Sequence, residues 1–269
     1  MCGPDVYTHG HHDAVLRSHR WRTAGNSAAY LLPNLRPGLE LLDVGCGPGT
    51  LTVELAARVA PGQATGVDAD TGVVAAAADH ARTVGATNVA FAVGDFRAMA
   101  LTPGAYDVVH AHQVLQHLRE PVEALRAMAT LARPGGGLVA ARDADYAAMT
   151  WAPADPRLDR WLAVYRAVAA GNGAEPDAGR HLLGWARRAG MDDVAYSTST
   201  WTFATADDRA WWSGTWAERI TGTRLADQAL DRGLATRAEL DDMAAGWRAW
   251  ATRDDAVFTV VHGEILARV

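Results

Sequence analysis

Gly45-Cys46-Gly47-Pro48-Gly49 follows the apolar run Leu41-Leu42-Asp43-Val44 and precedes the helix-forming stretch LTVELAARVA. Glycine at alternate positions leaves bare backbone that another group can approach closely. A strand, such a loop and a helix N-terminus together form a cradle for a ligand. Two ligand classes compete for it. Dinucleotide sites use G-x-G-x-x-G and place a pyrophosphate over the helix. Here the spacing is G-x-G-x-G, and Asp43 stands two residues before the first glycine. A carboxylate beside a pyrophosphate is repelled at short range and instead suits a ligand with a cationic end. Two more acids close apolar runs further on, Asp68 in TGVDAD and Asp95 in VGDF, and Asp70, at the end of TGVDAD, reads as the cap of the next helix rather than a ligand contact. His112 and His117 lie five positions apart across an expected strand end and helix start, so both can face one cleft. Cys46 has no base beside it in sequence and reads as a small packed residue rather than a nucleophile.

These residues need a scaffold. Strand-like runs at LELLDVG, QATGVDAD, NVAFAVGDF, YDVVHAHQ and LVAARDADY alternate with helix-like stretches. That order predicts an α/β fold with helices on both faces of a mostly parallel sheet. Beyond Tyr146, helices are expected over about 155–170 and 179–189, a strand at VAYSTSTWTFA, Trp-rich helix over about 207–252, and a closing strand. Residues 5–36 also read as helical. The expected organisation is one domain, 1–269, made of an N-terminal helical segment (1–36), a ligand-binding core (37–150) and the remaining sheet with a helical cap (151–269). A net charge of −6 and the absence of a Lys/Arg run argue against a nucleic-acid partner. Cys2 and Cys46 supply no disulfide framework, the N-terminus lacks a secretory signal, and no segment is long and apolar enough to span a membrane, so a cytoplasmic protein is expected. The tract His9-Gly10-His11-His12 lacks accompanying ligands at metal spacing, and no metal is expected.

The stretch from Leu41 to about Asp145 resembles the class I S-adenosylmethionine-dependent methyltransferases, and YDVVHAHQVLQHLREPVEALRAMATLARPGG resembles the fourth-strand block of their ubiquinone/menaquinone-type small-molecule branch. S-adenosylmethionine carries a sulfonium and an ammonium and no phosphate, in keeping with Asp43. The resemblance implies a Rossmann-like sheet, mostly parallel with the last strand antiparallel, with an N-terminal helix and helical cap insertions. It also implies a cofactor site at Asp43, Gly45, Cys46, Gly47 and Gly49. Asp68, with Ala69 beside it, would take the ribose hydroxyls. Asp95 would meet the adenine amino group, with Gly94 and Phe96 at the ring. Ala111, His112 and His117 would lie by the methionine part. Tyr7 and Arg22 would reach the cofactor from the N-terminal segment, Arg22 toward its carboxylate.

The expected reaction is in-line methyl transfer to a small, apolar or aromatic acceptor, releasing S-adenosyl-L-homocysteine. His112 or His117 would assist as a base if the nucleophile must lose a proton. The acceptor would sit between the N-terminal segment and the cap, against His11, Trp212 and Trp216. The last two stand four apart on one helical face, although that face could equally be buried core. The alternative is a cofactor-binding protein of the same fold with a regulatory or non-methyltransferase role. A nucleic-acid enzyme is disfavoured further by HAHQ where DPPY or NPPY would stand.

Overall fold

The alternating segments form one sheet in the structure, a computed structural model that describes residues 18–269. Among the described residues the sheet has seven strands in the order β3-β2-β1-β4-β5-β7-β6. They are β1 Leu41–Val44, β2 Ala64–Asp68, β3 Val89–Val93, β4 Val108–His112, β5 Leu138–Ala152, β6 Asp193–Phe203 and β7 Val257–Arg268. The first five pair in parallel, and β7 runs antiparallel to both β5 and β6. The strand order reverses between β1 and β4, which opens a crevice at the carboxyl ends of those strands.

Side chains alternate between the two sheet faces, as the strand repeat requires. Leu41, Val108, Leu138 and Ala140 pack with α1 (Ala24–Ser27) and α2 (Thr50–Val59). Leu42, Val109, Val139 and Ala141 pack on the other face with Leu125 and Met128 of α4 (Pro121–Leu131) and Trp185 of α6 (Leu182–Arg188). Helix α3 (Thr71–Thr83) starts at Asp70, whose carboxylate accepts the Val73 amide at 2.8 Å. That cap satisfies an amide which the helix leaves unpaired. Pro at the first helical position starts both α4 and α5 (Pro156–Gly171).

The structure departs from the expected elements in places. The described part of the N-terminal segment is broken into a turn of helix at Ser18–Arg20, the short α1 and a 3-10 turn at Leu32–Asn34. Thr23 caps α1 and Pro33 lacks an amide, so no continuous helix runs through. The expected helix from 179 begins as a 3-10 turn, Ala178–His181, before α6. The cap is three helices, α7 (Ala206–Gly222), α8 (Arg224–Asp231) and α9 (Arg237–Ala251). Thr223 both ends α7 and caps α8, and Thr236 begins α9 with a capping box to Glu239.

The cap and α5 close over the outer ends of β5, β6 and β7 around an aromatic core. Trp161, Trp216 and Trp247 are each 0% exposed. The Trp161 ring stands edge-on to Trp216 at 4.5 Å and to Trp247 at 4.9 Å, a favoured aromatic geometry. The expectation that Trp216 faces an acceptor is therefore corrected, because its ring is enclosed between α5 and α9. Trp250 is likewise core, donating its indole N–H to the Ala152 carbonyl at 3.2 Å.

Candidate active site

A cavity of about 720 Å³ opens at the carboxyl ends of β1, β2, β3 and β4, a size ordinary for small-molecule sites. Gly45, Cys46 and Gly47 form its floor beside Asp43. Gly47 adopts φ 55, and a Cβ built there would meet only His19 Nδ1 at 3.6 Å, so this backbone faces the open cavity. Asp68 and Ala69 line the next strand end, followed by Gly94, Asp95 and Phe96 at β3. His112 and His117 line the β4 side, and Arg22 comes from the N-terminal segment. Tyr7 and His11 lie outside the described residues.

Two expected residues do not reach the cavity. Ala111 is 0% exposed and packs on the opposite face with α4, because successive side chains on β4 alternate. Gly49, at φ 77, starts α2, and a Cβ there would lie 2.8 Å from Ala77 Cβ and 2.9 Å from Phe91 Cζ. Its bare backbone lets α2 approach α3 and β3. Residues the sequence reading missed include His19, Arg97, Gln113, Arg119, Glu120 and Arg224. Asp70, read only as a helix cap, both caps α3 and lines the cavity. Arg224 is the one residue beyond Glu120 in the lining, brought there by the break between α7 and α8.

Hydrogen bonding explains how the acids are held. Asp43 is buried, with one oxygen accepting His110 Nδ1 at 2.7 Å and the other accepting Thr52 Oγ1 at 2.5 Å. Both oxygens thus serve partners inside the protein, and the residue, 2% exposed, still borders the cavity. Its carboxylate ties β1, β4 and α2 together beneath the loop. Asp68 accepts the Gly47 amide at 3.0 Å and the Asp70 amide at 3.1 Å. A carboxylate has about four acceptor positions, so capacity remains toward the cavity. Asp95 is gripped by Arg97 at 2.7 to 3.1 Å, which holds its carboxyl below the usual range. The Cys46 thiol is pushed up by burial and then by Asp43 and Asp68, which removes thiolate character.

A second, smaller cavity of about 30 Å³ adjoins the first. His19, Arg22, Gln113 and His117 line both. Part of its wall is aromatic, with Trp21, Trp201, Trp211, Trp212 and Tyr146, and Met149 beside them, and part is polar, with Gln116 and Arg219. Trp212 lines this space while Trp216 does not. The N-terminal segment roofs it. Trp201 Nε1 donates to the Asn26 carbonyl at 2.6 Å, Arg22 Nη2 to Gln113 Oε1 at 2.8 Å, and Arg219 to Ser18 Oγ. Among the described residues no cluster of His, Cys, Asp and Glu can hold a metal ion, and no helix is long and apolar enough to cross a membrane.

Three buried histidines, His112, His117 and His262, are held neutral. Burial, and then the Arg22 charge, lowers His117 to about 3. Burial also drives His112 and His262 well below the usual imidazole value, with Arg22 and Arg142 adding to it. The unfolded chain protonates such rings near 6.5, whereas the folded protein does not. Below that pH the unfolded state therefore binds more protons, and stability falls with acid. Asp143 works the other way, because burial raises it to about 7 and the folded state keeps a proton the unfolded carboxyl loses. Three rings against one carboxyl leave a net loss of stability between about pH 6.5 and 4. Urea midpoints measured at pH 7, 6 and 5 should fall in that order. A midpoint that rises on acidification contradicts this reading.

Comparisons with known proteins identify the family and the fold. A family model described as a methyltransferase domain matches residues 35–190. An uncharacterised methyltransferase of Schizosaccharomyces pombe is 30% identical over 97% of this chain and 95% of its own. A probable methyltransferase of Aspergillus luteorubrus is 29% identical over 97% and 96%. Among solved structures, phosphoethanolamine N-methyltransferase 2 of Haemonchus contortus, in complex with S-adenosyl-L-methionine, aligns with a TM-score of 0.60 at 17% identity. That alignment covers 96% of this chain and 57% of the other, so the chain spans just over half the length of that enzyme and shares its fold.

Proposed function

Because the chain belongs to the class I S-adenosylmethionine-dependent methyltransferases, we propose that it methylates a small, apolar or aromatic acceptor held in the second cavity. The observation that carries this reading is the shared boundary of the two cavities, where His19, Arg22, Gln113 and His117 line both. A methyl group passing from cofactor to acceptor crosses there. The aromatic walls favour a flat or apolar acceptor. At about 30 Å³ the space holds on the order of one water molecule. The acceptor therefore enters by displacing part of the roof on the Ser18 side of Arg22.

The larger cavity suits the cofactor on its own geometry: open backbone at Gly47, a half-satisfied acid at Asp68 and an apolar ring at Phe96. We assign the ribose hydroxyls to Asp68, the adenine edge to Asp95 and Phe96, and the carboxylate to Arg22. When bound, the cofactor supplies a methyl group on positively charged sulfur, an excellent leaving group. The chain's task is then alignment and exclusion of water. The aromatic walls and the roof keep the boundary dry. His117, at about 3, is a poor base toward a phenol near 10, so histidine assistance is the smaller contribution.

The test is turnover. Protein with S-adenosyl-L-methionine is incubated with small-molecule extract of its native host, and S-adenosyl-L-homocysteine and methylated products are identified by mass spectrometry. An aromatic or apolar product is expected. With that acceptor in hand, Trp212→Ala should raise its KM at least fivefold and leave S-adenosyl-L-homocysteine affinity unchanged. Trp216→Ala should instead cost stability, on the order of 3–5 kcal/mol for a large core ring. A strongly polar acceptor, or an unchanged KM in folded Trp212→Ala, counts against the chamber.

A further inference from the structure

Gln113 directly follows β4 and is the one non-glycine residue with positive φ, 54°, among the described residues. Such a conformation is sterically disfavoured for an L-residue with a long side chain, and it persists where the surroundings enforce it. Its amide N–H donates to the Arg142 carbonyl at 2.7 Å, which pins the turn against β5. The turn sends the side chain to the boundary that both cavities share.

The side-chain amide is used at both ends. Arg22 Nη2 lies 2.8 Å from one end and His262 Nε2 lies 2.9 Å from the other. A guanidinium only donates, so the end facing Arg22 is the carbonyl oxygen and the end facing His262 is the NH2 group. An NH2 group only donates, so His262 Nε2 is the acceptor and the proton of this ring is on Nδ1. His262 is 0% exposed and lines neither cavity. It sits on β7 beneath Trp201, edge-on at 4.4 Å, and Trp201 is a wall of the acceptor cavity.

We propose that Gln113 is a positioning residue that joins the two sites, aiming Arg22 at the cofactor with its carbonyl and steadying the His262–Trp201 wall with its amide. The cofactor half of this inference rests on the proposed assignment of Arg22. Loading the cofactor draws on Arg22, and the strain at Gln113 passes that change to the acceptor wall through His262. The order of binding would follow, with the acceptor cavity set only after the cofactor is in place.

The experiment uses the whole chain with nitrogen-15-labelled histidine, S-adenosyl-L-homocysteine as the probe, and the variants Gln113→Leu and Gln113→Glu. In the wild type the His262 ring should show the Nδ1–H tautomer, and its signals should move on adding the probe although it lines neither cavity. Gln113→Leu should weaken probe affinity at least tenfold by calorimetry, and His262 should lose the single tautomer and its response. Gln113→Glu still accepts from Arg22 but has no N–H to offer. The new carboxylate competes with that of the probe for Arg22, so affinity should fall, and the His262 proton moves to Nε2 to reach it. If Gln113→Leu does not fold, the tautomer change in Gln113→Glu decides alone. Wild-type affinity in folded Gln113→Leu, or an unmoved His262 proton in Gln113→Glu, overturns the proposal. A wild-type protein that ignores the probe would overturn the cofactor half and the reading it rests on, while the tautomer measurement still judges the Gln113–His262 link.

Discussion

Gly47→Val should remove S-adenosyl-L-homocysteine binding, with an affinity loss beyond about 100-fold (roughly 2.7 kcal/mol), in a protein that still folds. The Gly47 Cβ direction points into the large cavity and meets only His19 Nδ1 at 3.6 Å. An isopropyl group there fills ligand space rather than protein space. The backbone, at φ 55, also resists a branched residue. A left-handed conformation costs about 1–2 kcal/mol, or roughly 2–8 °C in Tm for a domain of this size. Gly49 provides the contrast. It does not line the cavity, and even the methyl of Gly49→Ala would press on Ala77 and Phe91 at 2.8 and 2.9 Å. Gly49→Ala should therefore lose more Tm than Gly47→Val does and keep near-normal affinity wherever it is folded. Calorimetry and thermal melts on the pair separate the two roles. Binding by Gly47→Val within tenfold of wild type contradicts the assignment of the loop as the cofactor cradle.

Asp68→Ala should weaken the same ligand by about 1.5–3 kcal/mol, roughly 10- to 150-fold. The carboxylate has two jobs. It holds the loop by accepting the Gly47 and Asp70 amides, and on the proposed assignment its remaining lone pairs take the ribose hydroxyls. The alanine variant loses both. Asp68→Asn keeps one acceptor oxygen and should fall between the two. A competition titration with adenosine and 2′-deoxyadenosine tests the second job directly. Wild-type protein should prefer adenosine, and Asp68→Ala should lose most of that preference. An unchanged affinity in folded Asp68→Ala means that another residue holds the ribose.

Much of the lining of the large cavity is legible in the sequence because its parts are local. A glycine loop after a strand, and acids at the ends of the next two strands, each declare themselves within a few residues. The sheet then assembles them, since parallel strands with crossover helices place every carboxyl end on one edge. Asp70 shows how a local reading can be right and still incomplete. Its capping role follows from its place before a helix, and its exposure to the cavity follows from where β2 ends.

The residues that were misplaced, or not seen, depend on distant partners. The sequence by itself determined the order of strands and helices, the glycine cradle and its flanking acids, because periodicity and loop composition act over short stretches. Only the tertiary structure decided that Asp43 turns inward to His110, sixty-seven positions away, and that Trp216 is wholly enclosed while Trp212, also buried, borders a cavity. It also decided that Gln113 bridges Arg22 and His262, 91 and 149 positions away. A helical repeat shows that Trp212 and Trp216 share a face, but the packing of α5 and α9 determines which ring is enclosed. A carboxylate or an amide bonds to whichever donor or acceptor the sheet brings within about 3 Å, and that neighbour belongs to another strand.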